Sequence, residues 1–194
     1  GEYGYTVYIR EIGRALGLEY TSTGLVQMSE SGFDSPDYLG AAHTYNSTLA
    51  REIDYRVSPS TPMIYEMLEI QSRYGINNQY ETGNNLYMFD ETQPVVKTIW
   101  DAGGTDTISF ENVNITSGDG YSAIIDLREG QSSYLYDPNV PNTDDMNYFH
   151  FGRYVNALNP STAVPNQIEN AIGSDGDDLI IGNNFNNYLR GGLG

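Results

Sequence analysis

The 194-residue chain contains no cysteine, which excludes a disulfide framework and any thiolate metal site. Histidine is nearly absent: the two present, His43 and His150, stand at no ligand spacing with one another. Basic residues are scarce, 9 Lys and Arg against 26 Asp and Glu, for a formal net charge of −17. That balance repels nucleic acid and anionic membranes and suits cations or basic partners. No apolar run is long enough to span a bilayer, and no basic-then-apolar leader is visible. With no sulfur bridge available, calcium held by oxygen ligands can act as the staple.

A chain of this length can bury one good core, or two small ones. It begins with Gly1 rather than Met and stops inside a repeat, so it reads as a fragment. Its character changes near residue 76. Residues 5–18 are expected to form a helix in which Tyr5, Val7, Ile9, Ile12, Leu16 and Leu18 are too dense for one narrow stripe. Such a helix is buried on most sides, and Gly17 permits a sharp exit from it. Residues 21–60, rich in Ser, Tyr, Asp and Gly, read as loop. A second helix is expected over 61–74, with Thr61 as cap, Pro62 in the first turn and Gly75 as the stop. Ile64, Met67, Leu68 and Gln71 lie along one side of it. Short strands follow at 86–89, 95–100, 106–110 and 123–127, separated by Gly, Asn and Asp turns, and strands dominate to the end.

Two stretches carry chemistry. Residues 10–20, REIGRALGLEY, have the frame of a metal-gripping helix without its ligands. In H-E-x-x-H the two histidines share a helix face and can hold one ion between them. The matching positions here are Arg10 and Arg14, and the third position of the extended pattern is Tyr20. Residues 173–181, GSDGDDLII, are close to the nonapeptide G-G-x-G-x-D-x-U-x, in which glycines allow a tight turn of inward carbonyls and the aspartate supplies charge. Gly173, Asp175, Gly176 and Asp178 are its candidate calcium ligands. A weaker copy follows at 182–190, with Phe185 and Asn187 in place of Gly and Asp, and a third opens at Gly191. A plain Gly/Asn/Asp-rich loop is the simpler account; the repetition of both phase and aliphatic position favours the calcium roll.

Taken with YGYTVYIREIGRALGL at 3–18, STPMIYEMLEIQSRYG at 60–75, WDAGGTDTISF at 100–110, IDLREGQSS at 125–133 and IENAIGSDGDD at 168–178, the chain resembles the serralysin family. These are extracellular metzincin zinc proteases of Gram-negative bacteria that carry a calcium-binding β-roll. The resemblance implies an α+β chain. Residues 1–75 would be the C-terminal portion of a metzincin-like protease domain, and 76–194 a calcium-binding β-sandwich whose parallel β-roll starts at 173–194. It also implies a secreted or cell-surface location, and an upstream sheet, absent from this chain, covering one side of the active-site helix.

Residue by residue, the zinc centre does not carry over. The family's three zinc histidines fall on Arg10, Arg14 and Tyr20, and its general-base glutamate on Glu11. The methionine beneath the zinc falls on Ile53, and the tyrosine that can add a zinc bond falls on Tyr55. A guanidinium has no lone pair for a metal and stays charged, so zinc is not expected. Arginines four apart are more often a solvated helix face, and Glu11 can pair with either of them.

The family's calcium chemistry carries over better. The resemblance gives carbonyls of Glu81, Gly83 and Asn85, carboxylates of Asp101 and Asp106, and carbonyls of Gly103 and Gly104. Glu169 and the carbonyl of Gln167 would close a second ion that shares Asp106. An Asp-Gly turn beside an unrelated surface glutamate is the plainer alternative.

The expected function is therefore a catalytically inactive, calcium-binding pseudoprotease module that serves as a binding or structural subunit. The alternative is an active secreted zinc endopeptidase. The unfinished ends imply that the chain belongs to a longer polypeptide, or is clasped by partner proteins in an assembly, with no nucleic acid and no membrane span. The tyrosine-rich loops at 33–45 and 134–154 are the candidate contact surfaces.

Overall fold

The computed structural model describes residues 8, 11–18, 61–62, 64–89, 96–113, 121–136, 150–156 and 168–194. The expected loop at 21–60 and the contact surface at 33–45 lie outside these residues, as do Arg10, Tyr20, Ile53, Tyr55 and Gln167.

Helical backbone at residues 11–15 forms α1, and Ile64–Tyr74 forms α2. Helix α1 ends where Gly17, at φ 83°, takes a left-handed conformation open to glycine at no steric cost. The Gly17 amide donates to the Arg14 carbonyl (2.9 Å) and the Leu18 amide to the Gly13 carbonyl (3.0 Å), the paired bonds of a Schellman stop. Helix α2 ends at Gly75. The last turn of α2 clasps the end of α1: Arg73 Nη1 donates to the Gly17 carbonyl (2.7 Å) and the Tyr74 hydroxyl to the Leu16 carbonyl (2.9 Å). Two carbonyls left over at a helix end are thus satisfied by side chains.

The first helix differs from expectation. Leu18 is buried, but Tyr8 is 71% and Ile12 60% exposed. The clasp from α2 reaches only the C-terminal end of α1, so the described residues cover one side of it. The Thr61 hydroxyl takes the Thr98 amide (2.8 Å). The start of the second helix is thereby tied to a strand.

Nine strands make up the described part of the β region: β1 Leu86–Met88, β2 Val96–Ile99, β3 Thr107–Ser109, β4 Ala123–Asp126, β5 Ser132–Tyr136, β6 His150–Asn156, β7 Asn170–Ile172, β8 Asp178–Ile181 and β9 Tyr188–Arg190. They form two sheets, β1-β3-β7-β9 and β2-β6-β5-β4-β8. The first is parallel throughout; the second is mixed, with β5 antiparallel to both neighbours. From β7 onward the chain changes sheet every nine residues, Asn170 pairing with Tyr188 one full turn later. The stretch 134–154, expected to be loop, contains the end of β5 and residues 150–154 of β6, an inner strand between β2 and β5.

The core lies between the sheets. Ile108 and Ala171 face Ile99, Ile125 and Leu135, with Phe89, Phe110, Val113, Leu127 and Ile168 closing the ends. Phe89 and Phe110 meet edge to face, centroids 5.7 Å apart. Side chains alternate across each strand, so Leu86 and Met88 face outward while Tyr87 packs on the core. Among the described residues no helix is long and apolar enough to cross a membrane.

Burial separates two neighbours in the first sheet. Ile108 is 1% exposed and Leu86 55%. Ile108→Ala is expected to lower unfolding free energy by about 2–4 kcal/mol, and Leu86→Ala to change it by about 0.5 kcal/mol or less. Urea unfolding of the two variants checks this; equal losses would mean that the core does not lie between the sheets.

Candidate metal centre

On α1 the side chains of Glu11 and Arg14 lie one helical turn apart. Arg14 Nη1 is 3.4 Å from Glu11 Oε1, and both side chains are about half exposed. A pair of this kind stabilises a helix by about 0.5 kcal/mol or less. Its chemical consequence is larger, because a guanidinium at this position donates hydrogen bonds and cannot ligate. His150, at the start of β6, pairs with Tyr136 across the sheet; His43 lies outside the described residues.

The acidic centre lies at one end of the parallel sheet. The strand register Leu86, Thr107, Asn170, Tyr188 puts Asn85, Asp106, Glu169 and Asn187 in one row immediately ahead of it. Each step across this row is bonded. The Asn85 amide donates to Asp106 Oδ1 (2.6 Å), the Asp106 amide to Glu169 Oε2 (2.8 Å), and Asn187 Nδ2 to the Glu169 carbonyl (2.8 Å). Asp101 stands beside the row, its Oδ1 taking the Gly103 amide (2.9 Å) and its Oδ2 the Tyr87 hydroxyl (2.7 Å). Glu81, at φ 50° and the one described non-glycine with positive φ, accepts from Asn85 Nδ2 (2.7 Å).

Asp101 and Asp106 are fully buried and Glu169 nearly so. Burial raises the Asp101 carboxyl above its ordinary value, and pushes Asp106 up to about 6, with the Asp101 and Glu169 charges adding to the rise. Burial and Asp101 together also raise the Tyr87 phenol. The Lys97 ammonium stands over the rings of Tyr87 and Phe89, 5.7 and 5.6 Å from their centroids, and burial lowers its pKa.

Two oxygens here are buried without a partner: Asp106 Oδ2 and Asn85 Oδ1. Buried oxygens left unpaired are costly, and together with crowded carboxylates they fit a hard cation. The backbone supports that fit. A Cβ on Gly104, at φ 143°, would stand 2.1 Å from the Gly83 carbonyl oxygen and 3.0 Å from Asp106 Oδ1, so both oxygens converge on a spot only glycine leaves open. The Asn85 carbonyl takes the Thr107 amide. Among the described residues no three His, Cys, Asp or Glu side chains gather closely enough to hold a metal unaided. Backbone oxygens would have to complete the shell.

The other acidic candidates lie in the half-turn between β7 and β8. Asp178 takes the Ser174 amide on Oδ2 (2.7 Å) and the Ser174 hydroxyl on Oδ1 (2.8 Å), and burial raises its carboxyl pKa. Asp175 is exposed, and the Gly176 amide donates to Ser174 Oγ (3.2 Å). A Cβ on Gly173 would be 2.3 Å from Asp178 Oδ2 and 2.4 Å from the Gly191 carbonyl oxygen. The turn opening at Gly191 therefore stacks over residues 173–178. Sequence reasoning missed Tyr87 and Ser174, whose partners depend on strand register and carry no local motif.

This combination defines a class: a mixed α+β chain with parallel sheets, a nine-residue winding step and an acidic corner suited to a hard cation. No protein-family profile matches the chain. It is similar to the serralysin of Proteus mirabilis, 28% identical over 97% of this chain and 37% of that protein. It is also similar to serralysin C of Dickeya chrysanthemi, 29% identical over 93% of this chain and 36% of that protein. A further relative is metalloprotease AprA of Pseudomonas entomophila, 24% identical over 98% of this chain and 39% of that protein. The chain is related to the serralysin family, and it spans a little over a third of the length of these curated relatives.

The shift on Asp106 yields a pH test on ion-free protein. Its folded pKa, about 6, lies above that of an unfolded aspartate, so the folded chain holds the proton more tightly. The resulting stability is fully present below about pH 4 and is lost as pH rises through about 6. In chelator the melting temperature is expected to fall between about pH 4.5 and pH 6.5 in the native chain, and to fall less in Asp106→Asn. An identical slope in both would remove Asp106 as the cause.

Proposed function

We propose that this chain is an extracellular, serralysin-type pseudoprotease module: it keeps the family's calcium-binding region, has lost the zinc centre, and acts as a binding or structural subunit. In this reading residues 1–75 are the protease-derived portion and 76–194 the calcium-binding β portion, with an RTX-type β-roll opening at 173–194. The observation that carries it is Arg14, at a family ligand position, with its guanidinium 3.4 Å from the Glu11 carboxylate. Zinc binding needs a lone pair there, and Arg14 offers a positive charge instead. Without a metal-bound water to deprotonate, Glu11 is a helix-face carboxylate.

Calcium fits the acidic corner. Asp101, Asp106 and Glu169, with carbonyls of Gly83 and its neighbours, would hold it, and Asp178 with the carbonyls around Gly173 would hold another in the coil. The ion would supply the positive charge that lets these buried carboxylates stay ionised together. The exposed Tyr8 and Ile12 face of α1 supports a cover supplied by the rest of a longer polypeptide or by a partner.

Glu11 itself favours the second reading, an active zinc endopeptidase, because it keeps the general base of the pattern. Metal analysis and casein digestion separate the two. The expected outcome is zinc far below one equivalent and no cleavage. One equivalent of zinc with chelator-sensitive cleavage would establish the active enzyme instead.

For calcium, the expected outcome is a melting temperature lower in chelator than in calcium at 100 times Kd by about 5–10 °C, corresponding to ~2.7 kcal/mol of linked binding. An unchanged melting temperature would rule out a stabilising ion.

A further inference from the structure

The winding repeats its geometry every nine residues, while the chemistry changes. Gly173, Ser174 and Asp178 in one half-turn correspond to Gly182, Asn183 and Asn187 in the next. In both, a side-chain oxygen of the last residue accepts the backbone amide four positions earlier: Asp178 from Ser174 (2.7 Å) and Asn187 from Asn183 (2.9 Å). In both, that oxygen would lie 2.3 Å from a Cβ built on the glycine. The two side chains therefore hold equivalent places.

Their surroundings are opposite in kind. Around Gly173 the converging atoms are oxygens, Asp178 Oδ2 and the Gly191 carbonyl. In the second half-turn, amide nitrogens address the oxygens. Asn187 Nδ2 donates to the Glu169 carbonyl and to Asn183 Oδ1, both at 2.8 Å. Asn183 Nδ2 donates to the Ile168 carbonyl (2.7 Å) and the Leu127 carbonyl (3.1 Å). The Phe185 amide completes the set on Asn183 Oδ1 (3.1 Å). Three backbone carbonyls from two other segments are thus engaged by neutral N–H donors. A cation needs those same lone pairs, and an amide offers it neither charge nor room.

We propose that the half-turn at 182–187 is closed by the Asn183 and Asn187 amides in place of a cation, so that ion binding by the coil is confined to the opposite side, at residues 173–178. The amides tie Leu127, Ile168 and Glu169 to the half-turn at any calcium level. The Asp178 side depends on the ion. This asymmetry rests on the calcium reading proposed above for residues 173–178; closure of 182–187 by amides does not.

Hydrogen exchange on the full 194-residue chain, with calcium and with chelator, tests it. The Asn183 amide is expected to keep its protection on calcium removal, and the Ser174 amide to lose at least tenfold. Loss at both would overturn the proposal. Retention at both would reject calcium at 173–178 and leave amide closure of 182–187 intact. A second arm uses Asn187→Asp, which keeps the accepting oxygen and removes both donations. Its melting temperature in chelator is expected to fall by about 4–8 °C, the effect of losing two half-buried hydrogen bonds in a chain of this size. Its calcium affinity is expected to be no weaker than that of the native chain. An unchanged melting temperature in chelator would show that the amides close nothing, and native calcium stoichiometry that drops by one in Asn187→Ala would show that Asn187 had been a ligand.

Discussion

The β region depends on one row of polar residues along the end of the parallel sheet. Asn85, Asp106, Glu169 and Asn187 each precede a strand, and each is bonded to the next. A slip of one residue in any strand would break that row and turn Ile108 and Ala171 away from the core. The row also holds an electrostatic cost, because Asp106 is buried with one carboxylate oxygen unpaired. Register and charge are thus set by the same atoms. At the two ends of the row amides stand; in the middle stand carboxylates. The hard-cation corner and the amide-closed half-turn are therefore neighbouring solutions to one problem, the capping of strand ends where two sheets must meet.

The helical portion joins this scaffold through ordinary hydrogen bonds. Thr61 reaches Thr98, the Trp100 indole reaches the Asn77 carbonyl (2.9 Å), and the Ala102 amide reaches the Tyr80 carbonyl (3.1 Å). The last of these leads directly into the Asp101–Asp106 loop. An ion in that loop would stiffen the connection to α2 and, through Arg73 and Tyr74, the end of α1. The Glu11–Arg14 helix and the acidic corner thus share a frame but no atoms.

Much of this was legible in the residues. Short apolar-rich runs between Gly, Asn and Asp turns marked β1 to β4, and Gly17 and Gly75, both at positive φ, marked the helix ends. The acidic corner was legible through the resemblance of ETGNN at 81–85 and DAGGTD at 101–106, and not through composition alone. What escaped is what depends on distant pairing. The sequences SSYLY at 132–136 and HFGRYVN at 150–156 show no clean apolar–polar alternation, so periodicity gave no warning that they lie inside a sheet. Tyr87 is separated from Asp101 by a whole strand, and Asn183 finds Leu127 across 56 residues. The bond from the Thr98 amide to the Thr61 hydroxyl spans 37 residues and has no local signal either.

The spacing of contacts along the bonded row sets the entropy of assembly. Asn85 and Asp106 are 21 residues apart, Asp106 and Glu169 are 63, and Glu169 and Asn187 are 18. Closing the longest of these loops costs about 1 kcal/mol more than closing the shortest, since the penalty grows with the logarithm of length. The full turn from β7 to β9 closes over 18 residues. Docking β7 on β3 is therefore the steep step, and the winding from β7 to β9 proceeds on a finished template.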